Sequence, residues 1–252
     1  MDGQEGKVCK LVKSLYGLRQ TPKQWHDKFN ETLTSIGFVV NEADKCVYYH
    51  YGGGEGVILC LYVDDILIFG THLKVIEEVK DFISHNVVMQ YLGVDDVIFN
   101  IKLLRNTEGG ITLLQSHYVE KILSRFGYSD CKTSAAPYDP SAWIRKFEGT
   151  AVDQLRYSQV VGSLMYLACA TRPDISFAVC KLSRIVSNPG DVHWHAVERV
   201  MRYLQGIVNY GIHYSGYPTV LEWYSDSNWI SDADEMKATS GYVFTLGGGA
   251  VS

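Results

Sequence analysis

Val57-Ile58-Leu59-Cys60-Leu61-Tyr62-Val63-Asp64-Asp65-Ile66-Leu67-Ile68-Phe69 is the stretch whose reading decides the fold of this chain. Two apolar runs flank a pair of adjacent aspartates. Runs of this length and composition read as strands, and their continuity predicts burial on both faces. Asp64-Asp65 makes the connection a tight turn. An unpaired buried carboxylate is costly, so the pair must reach solvent or a cation. A hairpin tip at the edge of a cleft satisfies both demands. Magnesium prefers carboxylate oxygen and leaves room for substrate phosphates. The plain alternative is an exposed Asp-Asp turn with no chemistry, since Asp is a common turn residue.

Working upstream, residues 21–37 predict one helix. Thr21 is a candidate N-cap, Pro22 fits the first turn, and Gln24 completes a capping box. Trp25, Phe29, Leu33 and Ile36 line one face, and Gly37 closes the end. Strands are expected at 38–40 and 47–51, with Gly52-Gly53-Gly54 leading into the decisive run. Downstream, a helix presents Leu73, Ile76, Val79 and Ile83. A hairpin over 97–114 turns at Glu108-Gly109-Gly110, and a short helix over 117–126 is capped by Ser116 and stopped by Gly127. Residues 131–150 hold Pro137 and Pro140 without periodicity and read as a linker. Helices follow near 157–170, 173–186 and 191–205, then strands at 211–214, 220–225 and 241–246.

With 252 residues, 46% of them hydrophobic and 20% charged, the chain has the composition of a globular protein with a real core. No apolar run is long enough to span a bilayer, and the start lacks the pattern of a signal peptide, so no membrane partner is expected. The net charge of -5 argues against a nucleic-acid binder taken alone. The charge is uneven, however: Lys7, Lys10, Lys13, Arg19, Lys23 and Lys28 face only Asp2, Glu5 and Asp27 in the first 28 residues. A local basic surface can bind phosphate on an acidic chain. The 6 cysteines form no CxxC pair and read as buried free thiols of an intracellular protein, cytoplasmic or nuclear. His193 and His195 are two apart on a helix and do not share a face, which argues against a zinc pair.

Several strings recur in one family. They are Lys13-Ser14-Leu15-Tyr16-Gly17-Leu18-Arg19-Gln20, Pro22 with Gln24-Trp25, Leu61-Tyr62-Val63-Asp64-Asp65, and Val161-Gly162-Ser163-Leu164-Met165-Tyr166. Thr171-Arg172-Pro173-Asp174-Ile175, Arg202-Tyr203-Leu204, Tyr224-Ser225-Asp226 and Thr239-Ser240-Gly241-Tyr242 follow in the same order. From about Val8 to Ser252 the chain resembles the reverse transcriptase of copia-type retrotransposon Pol polyproteins, running into the start of the RNase H domain. The implied fold is α/β (α+β): a partial palm with its YVDD hairpin, a helical thumb and connection, and the first strands of an RNase H-like sheet. The implied domains are a partial palm with a primer-grip-like hairpin at 1–130, a linker with the helical thumb and connection at 131–210, and a truncated RNase H-like part at 211–252.

The resemblance also implies roles. Asp64 and Asp65 correspond to the metal-binding catalytic pair, with Mg2+ or Mn2+ as cofactor, and Asp226 to the first metal-binding catalytic aspartate of RNase H. Tyr62 and Val63 would lie near the primer terminus. Lys13, Tyr16, Gly17, Arg19, Gln20 and Lys23 would line the template and nucleotide side. Implied partners are an RNA or DNA template-primer, nucleotides, and other parts of the Pol polyprotein. One departure stands out: the family's hairpin after Leu92-Gly93 usually carries a glycine where this chain reads Phe99-Asn100-Ile101, which predicts a distorted hairpin.

The family also places a third polymerase carboxylate on a strand before the Lys13 block. Asp2, in a glycine-rich tail, does not match that context, and the later RNase H ligands would fall beyond Ser252. The expectation is therefore a polymerase-derived fragment, inactive by itself. A nucleic-acid-binding remnant without catalysis and a merely tolerated translation product stand as alternatives.

Overall fold

The computed structural model describes residues 12, 15, 17–94, 96–141, 149–215, 220–232 and 237–251. They form two compact units, divided between Leu92 and Gly93. This division by compactness does not coincide with the boundaries that the sequence suggests at 130/131 and 210/211.

The first unit is one antiparallel sheet covered by two helices. Helix α1 (Thr21–Thr34) precedes β1 (Val39–Val40), β2 (Val47–Gly52), β3 (Glu55–Tyr62), β4 (Asp65–Gly70) and helix α2 (Leu73–Asn86). The strands lie in chain order. On β3 the residues alternate: Val57, Leu59 and Leu61 are buried, while Ile58 and Cys60 are half-buried. The buried set packs with Phe29 and Leu33 of α1 and Val79 and Ile83 of α2. Each such side chain contributes roughly 1.5–3 kcal/mol by leaving water. The other face is open, with Phe69 on β4 52% exposed. Burial on both faces, expected from the unbroken apolar run, is corrected to burial on one.

The start of α1 also differs from expectation. Gln20 holds the cap position without a side-chain bond to the backbone. Thr21 lies inside the helix, and its hydroxyl donates to the Leu15 carbonyl at 2.7 Å. At the other end Gly37 takes φ +90°, the left-handed conformation that lets the chain turn into β1.

The second unit holds a helical core and two small sheets. Strands β5 (Val97–Ile98), β6 (Ile101–Arg105) and β7 (Ile111–Leu114) lead into α3 (Ser116–Phe126). Next come α4 (Gln154–Ala170), a 3-10 turn (Pro173–Ile175), α5 (Ser176–Ser183) and α6 (Asp191–Gly206). Strand β8 (Gly211–Tyr214) returns to pair with β7, which ties the end of the helical region to the earlier hairpin. Strands β9 (Glu222–Asp232), β10 (Lys237–Leu246) and β11 (Gly249–Ala250) form the last sheet. Ser116 is the first residue of α3 rather than its cap, while Gly127 ends the helix at φ +84°. Asp153 caps α4 by accepting from the backbone N–H of Leu155 and Arg156. The imidazole of buried His193 accepts the Gly190 N–H and so closes the start of α6.

The described part of the expected linker packs on the helices. Tyr138 meets Phe177 edge-on at 5.0 Å and accepts from Lys181 Nζ at 3.1 Å. Asp139 pairs with Arg199 at 3.3 Å. The expected burial of the cysteines is not found either: Cys169 and Cys180 are exposed, and Cys46, Cys60 and Cys131 are half-buried.

Between α4 and α6 lies Arg172, only 1% exposed. Its guanidinium forks onto Asp174, with Nε to Oδ1 at 2.9 Å and Nη2 to Oδ2 at 2.7 Å. Nη1 reaches the Ile207 carbonyl at 3.3 Å, and the Tyr203 hydroxyl donates to Asp174 Oδ2 at 2.9 Å. Next to it, Thr171 donates to the buried Gln115 side chain at 2.8 Å. Burial acts to raise the Asp174 carboxyl, but the Arg172 and Tyr203 bonds outweigh it and hold the pKa below the ordinary value.

Where distortion was expected, the strands pair but the turn between them is strained. Ile98 pairs with Ile101, leaving Phe99-Asn100 as a two-residue turn with φ +51° and +62°. Positive φ at both positions is the type I′ pattern, which Asn tolerates and Phe does not. The Tyr166 hydroxyl on α4 donates to the Phe99 carbonyl at 2.7 Å.

Two outcomes follow. Replacing Phe99-Asn100 by Asn-Gly relieves the turn and raises stability by about 1 kcal/mol, read as a higher urea midpoint. Asp174→Ala leaves a buried guanidinium uncompensated and lowers stability by about 3 kcal/mol in thermal or urea unfolding at neutral pH. Because the folded Asp174 pKa is depressed, its contribution is present above the ordinary carboxylate range and is lost as pH falls through the folded value. The gap between wild type and Asp174→Ala therefore narrows below about pH 4.

Candidate functional site

Tyr62 pairs with Asp65, so Val63 and Asp64 alone form the turn between β3 and β4. Val63 has φ +53°, and Asp64 is not among the residues with positive φ. That is the φ pattern of a type II′ hairpin turn, which normally places glycine where Val63 stands. A β-branched residue there is a true outlier, of the kind that costs about 1–3 kcal/mol and persists only where its surroundings enforce it.

The surroundings come from α1. Trp25 Nε1 donates to the Val63 carbonyl at 3.1 Å. The Trp25 ring lies 5.7 Å from that of Phe29, whose ring meets Tyr48 edge-on at 5.8 Å. Phe29 and Tyr48 are fully buried. The turn is thus tied to the core of its own unit through a line of three rings.

Tyr62, Val63, Asp64 and Asp65 are all exposed. The two carboxylates have no hydrogen-bond or ion-pair partner among the described residues. Anionic oxygens facing outward from a fixed turn suit a hard divalent cation such as Mg2+. Among the described residues no group of three or more His, Cys, Asp or Glu side chains gathers into a metal-binding cluster.

The remaining expected site residues are placed as follows. Lys13 and Tyr16 lie outside the described residues. Gly17 takes φ +90° ahead of α1. Arg19, Gln20 and Lys23 are exposed around the start of α1, and neither Arg19 nor Lys23 has an ion-pair partner among the described residues. Asp226 lies in the second unit, exposed on β9 opposite Gly241. It was expected just past the end of a strand. Strand β9 continues to Asp232, so Asp226 sits within the strand. Trp25, in turn, reads from the sequence only as part of the apolar helix face. The signal that pointed further was its place in the Pro22–Trp25 string, close in chain to the candidate basic residues.

The family described as "Reverse transcriptase (RNA-dependent DNA polymerase)" matches residues 1–140. The retrovirus-related Pol polyprotein from transposon TNT 1-94 of Nicotiana tabacum is 38% identical over 99% of this chain and 20% of its own length. The corresponding polyprotein from transposon RE1 of Arabidopsis thaliana is 35% identical over 95% of this chain and 16% of its own. The putative transposon Ty5-1 protein of Saccharomyces cerevisiae is 31% identical over 97% of this chain and 80% of its own. No solved structure matches. The chain spans a fifth or less of the two plant polyproteins it resembles. With its ordered strings intact and its strained, outward-facing aspartate turn, the chain belongs to the reverse transcriptase family of copia-type retrotransposon Pol polyproteins.

Proposed function

We propose that the first unit is part of a polymerase palm and that Asp64 and Asp65 are its metal-binding carboxylates. The observation that carries this reading is the turn itself. Two adjacent carboxylates without partners among the described residues stand on a backbone held in a strained conformation by a side chain packed against the core. Divalent metal bound there would activate the primer 3′-hydroxyl and stabilise the departing pyrophosphate. Tyr62 and Val63, exposed beside the pair, contact the primer end. Lys13, Tyr16, Gly17, Arg19, Gln20 and Lys23 hold the template and nucleotide phosphates, drawing on the basic charge of this stretch. The hairpin over 97–114 grips the primer, the helices over 154–206 act as thumb and connection, and Asp226 is the first ligand of an RNase H-like site.

Two carboxylates from a single turn are weak support for a two-metal site, which draws ligands from separate elements. Among the described residues no third metal-binding side chain joins the pair, so the 252-residue chain by itself is read as a binding scaffold without turnover. A purely nucleic-acid-binding reading shares one observation with this one: Arg19 and Lys23 are exposed and have no ion-pair partner among the described residues.

The expected result is no Mg2+-dependent extension of a DNA primer on an RNA template by the chain alone. Extension that vanishes in Asp64→Asn would overturn its inactivity. Salt-dependent binding of a primed template, weakened by Arg19→Ala and Lys23→Ala but not by Asp64→Asn, would favour the binding-only reading if Mn2+ binding is also indifferent to Asp64.

A further inference from the structure

The Val63 carbonyl belongs to the peptide that leads into Asp64. Whatever fixes that peptide fixes the direction in which Asp64 and then Asp65 leave the turn. Val63 is 67% exposed, so burial of its own side chain does little to hold it. Its φ of +53° is one a valine leaves unless something prevents it. Trp25 Nε1 donates to that carbonyl across 38 positions of sequence. The indole is seated against Phe29 and, through it, against Tyr48, and neither of those rings has any exposed surface. The N-terminal end of α1, which carries Trp25, is tied in turn by Thr21 to the Leu15 carbonyl. The hydrogen bond thus joins an exposed, strained backbone to the best-packed part of the unit.

We propose that Trp25 is a positioning residue whose indole N–H holds the Val63–Asp64 peptide and so sets how both carboxylates are presented to a divalent cation. The inference rests on the reading of Asp64 and Asp65 as a metal-binding pair. Two properties separate this role from ordinary core packing. It depends on the indole N–H rather than on the ring. It also disappears once residue 63 can adopt positive φ without help, as glycine does.

The test is a Mn2+ titration of the full 252-residue chain, read by water-proton relaxation. It compares wild type, Asp64→Asn, Trp25→Phe, Val63→Gly and the Trp25→Phe/Val63→Gly double variant. Asp64→Asn is expected to lose the site. Trp25→Phe keeps an aromatic ring against Phe29 but has no donor, and is expected to bind Mn2+ about fivefold more weakly. In the Val63→Gly background the same change is expected to alter affinity by less than about twofold.

Wild-type affinity in Trp25→Phe, with binding lost in Asp64→Asn, overturns the positioning role and leaves the metal site standing. Equal weakening in both backgrounds also overturns it, because a packing role does not depend on residue 63. Unchanged binding in Asp64→Asn overturns the metal reading and the inference together. Should Trp25→Phe fail to melt cooperatively, the wild-type indole proton decides. Slow solvent exchange of the Trp25 Nε1–H by NMR supports the clamp, and exchange at the rate of a free indole overturns it.

Discussion

A charge cannot be left alone in an apolar interior, and both units are arranged around that cost. In the first unit the strands that flank the aspartates supply the core, through Val57, Leu59 and Leu61, while the aspartates themselves are carried out to the hairpin tip. In the second the opposite solution appears. Arg172 stays inside, where it is 1% exposed, and the structure gathers Asp174, Tyr203 and the Ile207 carbonyl around it. The 3-10 turn Pro173–Ile175 places Asp174 back over the guanidinium only two residues away, and α6 brings Tyr203 from the other side. The ion pair joins the turn after α4 to the C-terminal end of α6.

Both units also carry a two-residue hairpin turn in which a non-glycine residue takes positive φ at the first position. In each case an aromatic side chain on a helix donates to the carbonyl of that residue: Trp25 to Val63 and Tyr166 to Phe99. Strain of this size needs an enforcing contact, and an aromatic donor packed on a second ring, as Trp25 is on Phe29 and Tyr166 on Tyr118, is suited to supply one. Its ring is anchored by packing while its polar edge reaches the backbone. Finding the arrangement at both turns makes chance placement of the Trp25 bond a poorer account than restraint.

Much of the fold was legible because it follows from periodicity. Trp25, Phe29, Leu33 and Ile36 repeat at helical spacing and do face the sheet; the strand Gly211–Tyr214 was bounded correctly by its apolar alternation and turn residues. What was not legible depended on partners distant in sequence. Thr21 looks like a cap locally, yet the Leu15 carbonyl lies within reach of its hydroxyl. Residues 131–150 lack periodicity and read as a linker, yet within them Tyr138 and Asp139 meet Phe177, Lys181 and Arg199 on two helices. The pairing of β8 with β7 joins segments about a hundred residues apart, so no local pattern announces it. At the candidate site the identity of the pair, Asp64-Asp65, was plain from its string; the strain at Val63 and the bond from Trp25 were not, because both arise only once α1 is laid on β3.

Strings that identify a family with equal force therefore play different physical parts, and the partner list separates them. Tyr62-Val63-Asp64-Asp65 and Thr171-Arg172-Pro173-Asp174 both pair charge with a tight turn. The Asp174 carboxylate accepts from Arg172 and Tyr203, and those bonds displace its protonation equilibrium. Asp64 and Asp65 have no such partners among the described residues and stand in solvent beside a backbone held against its own preference. The Arg172–Asp174 pair has its charges met from within the chain; Asp64 and Asp65 are met by solvent, and the strain beside them lies in the Val63 backbone. Strain held in place from the core beside an exposed acidic pair is the physical reason that this turn, and not the Arg172–Asp174 pair, is the candidate site.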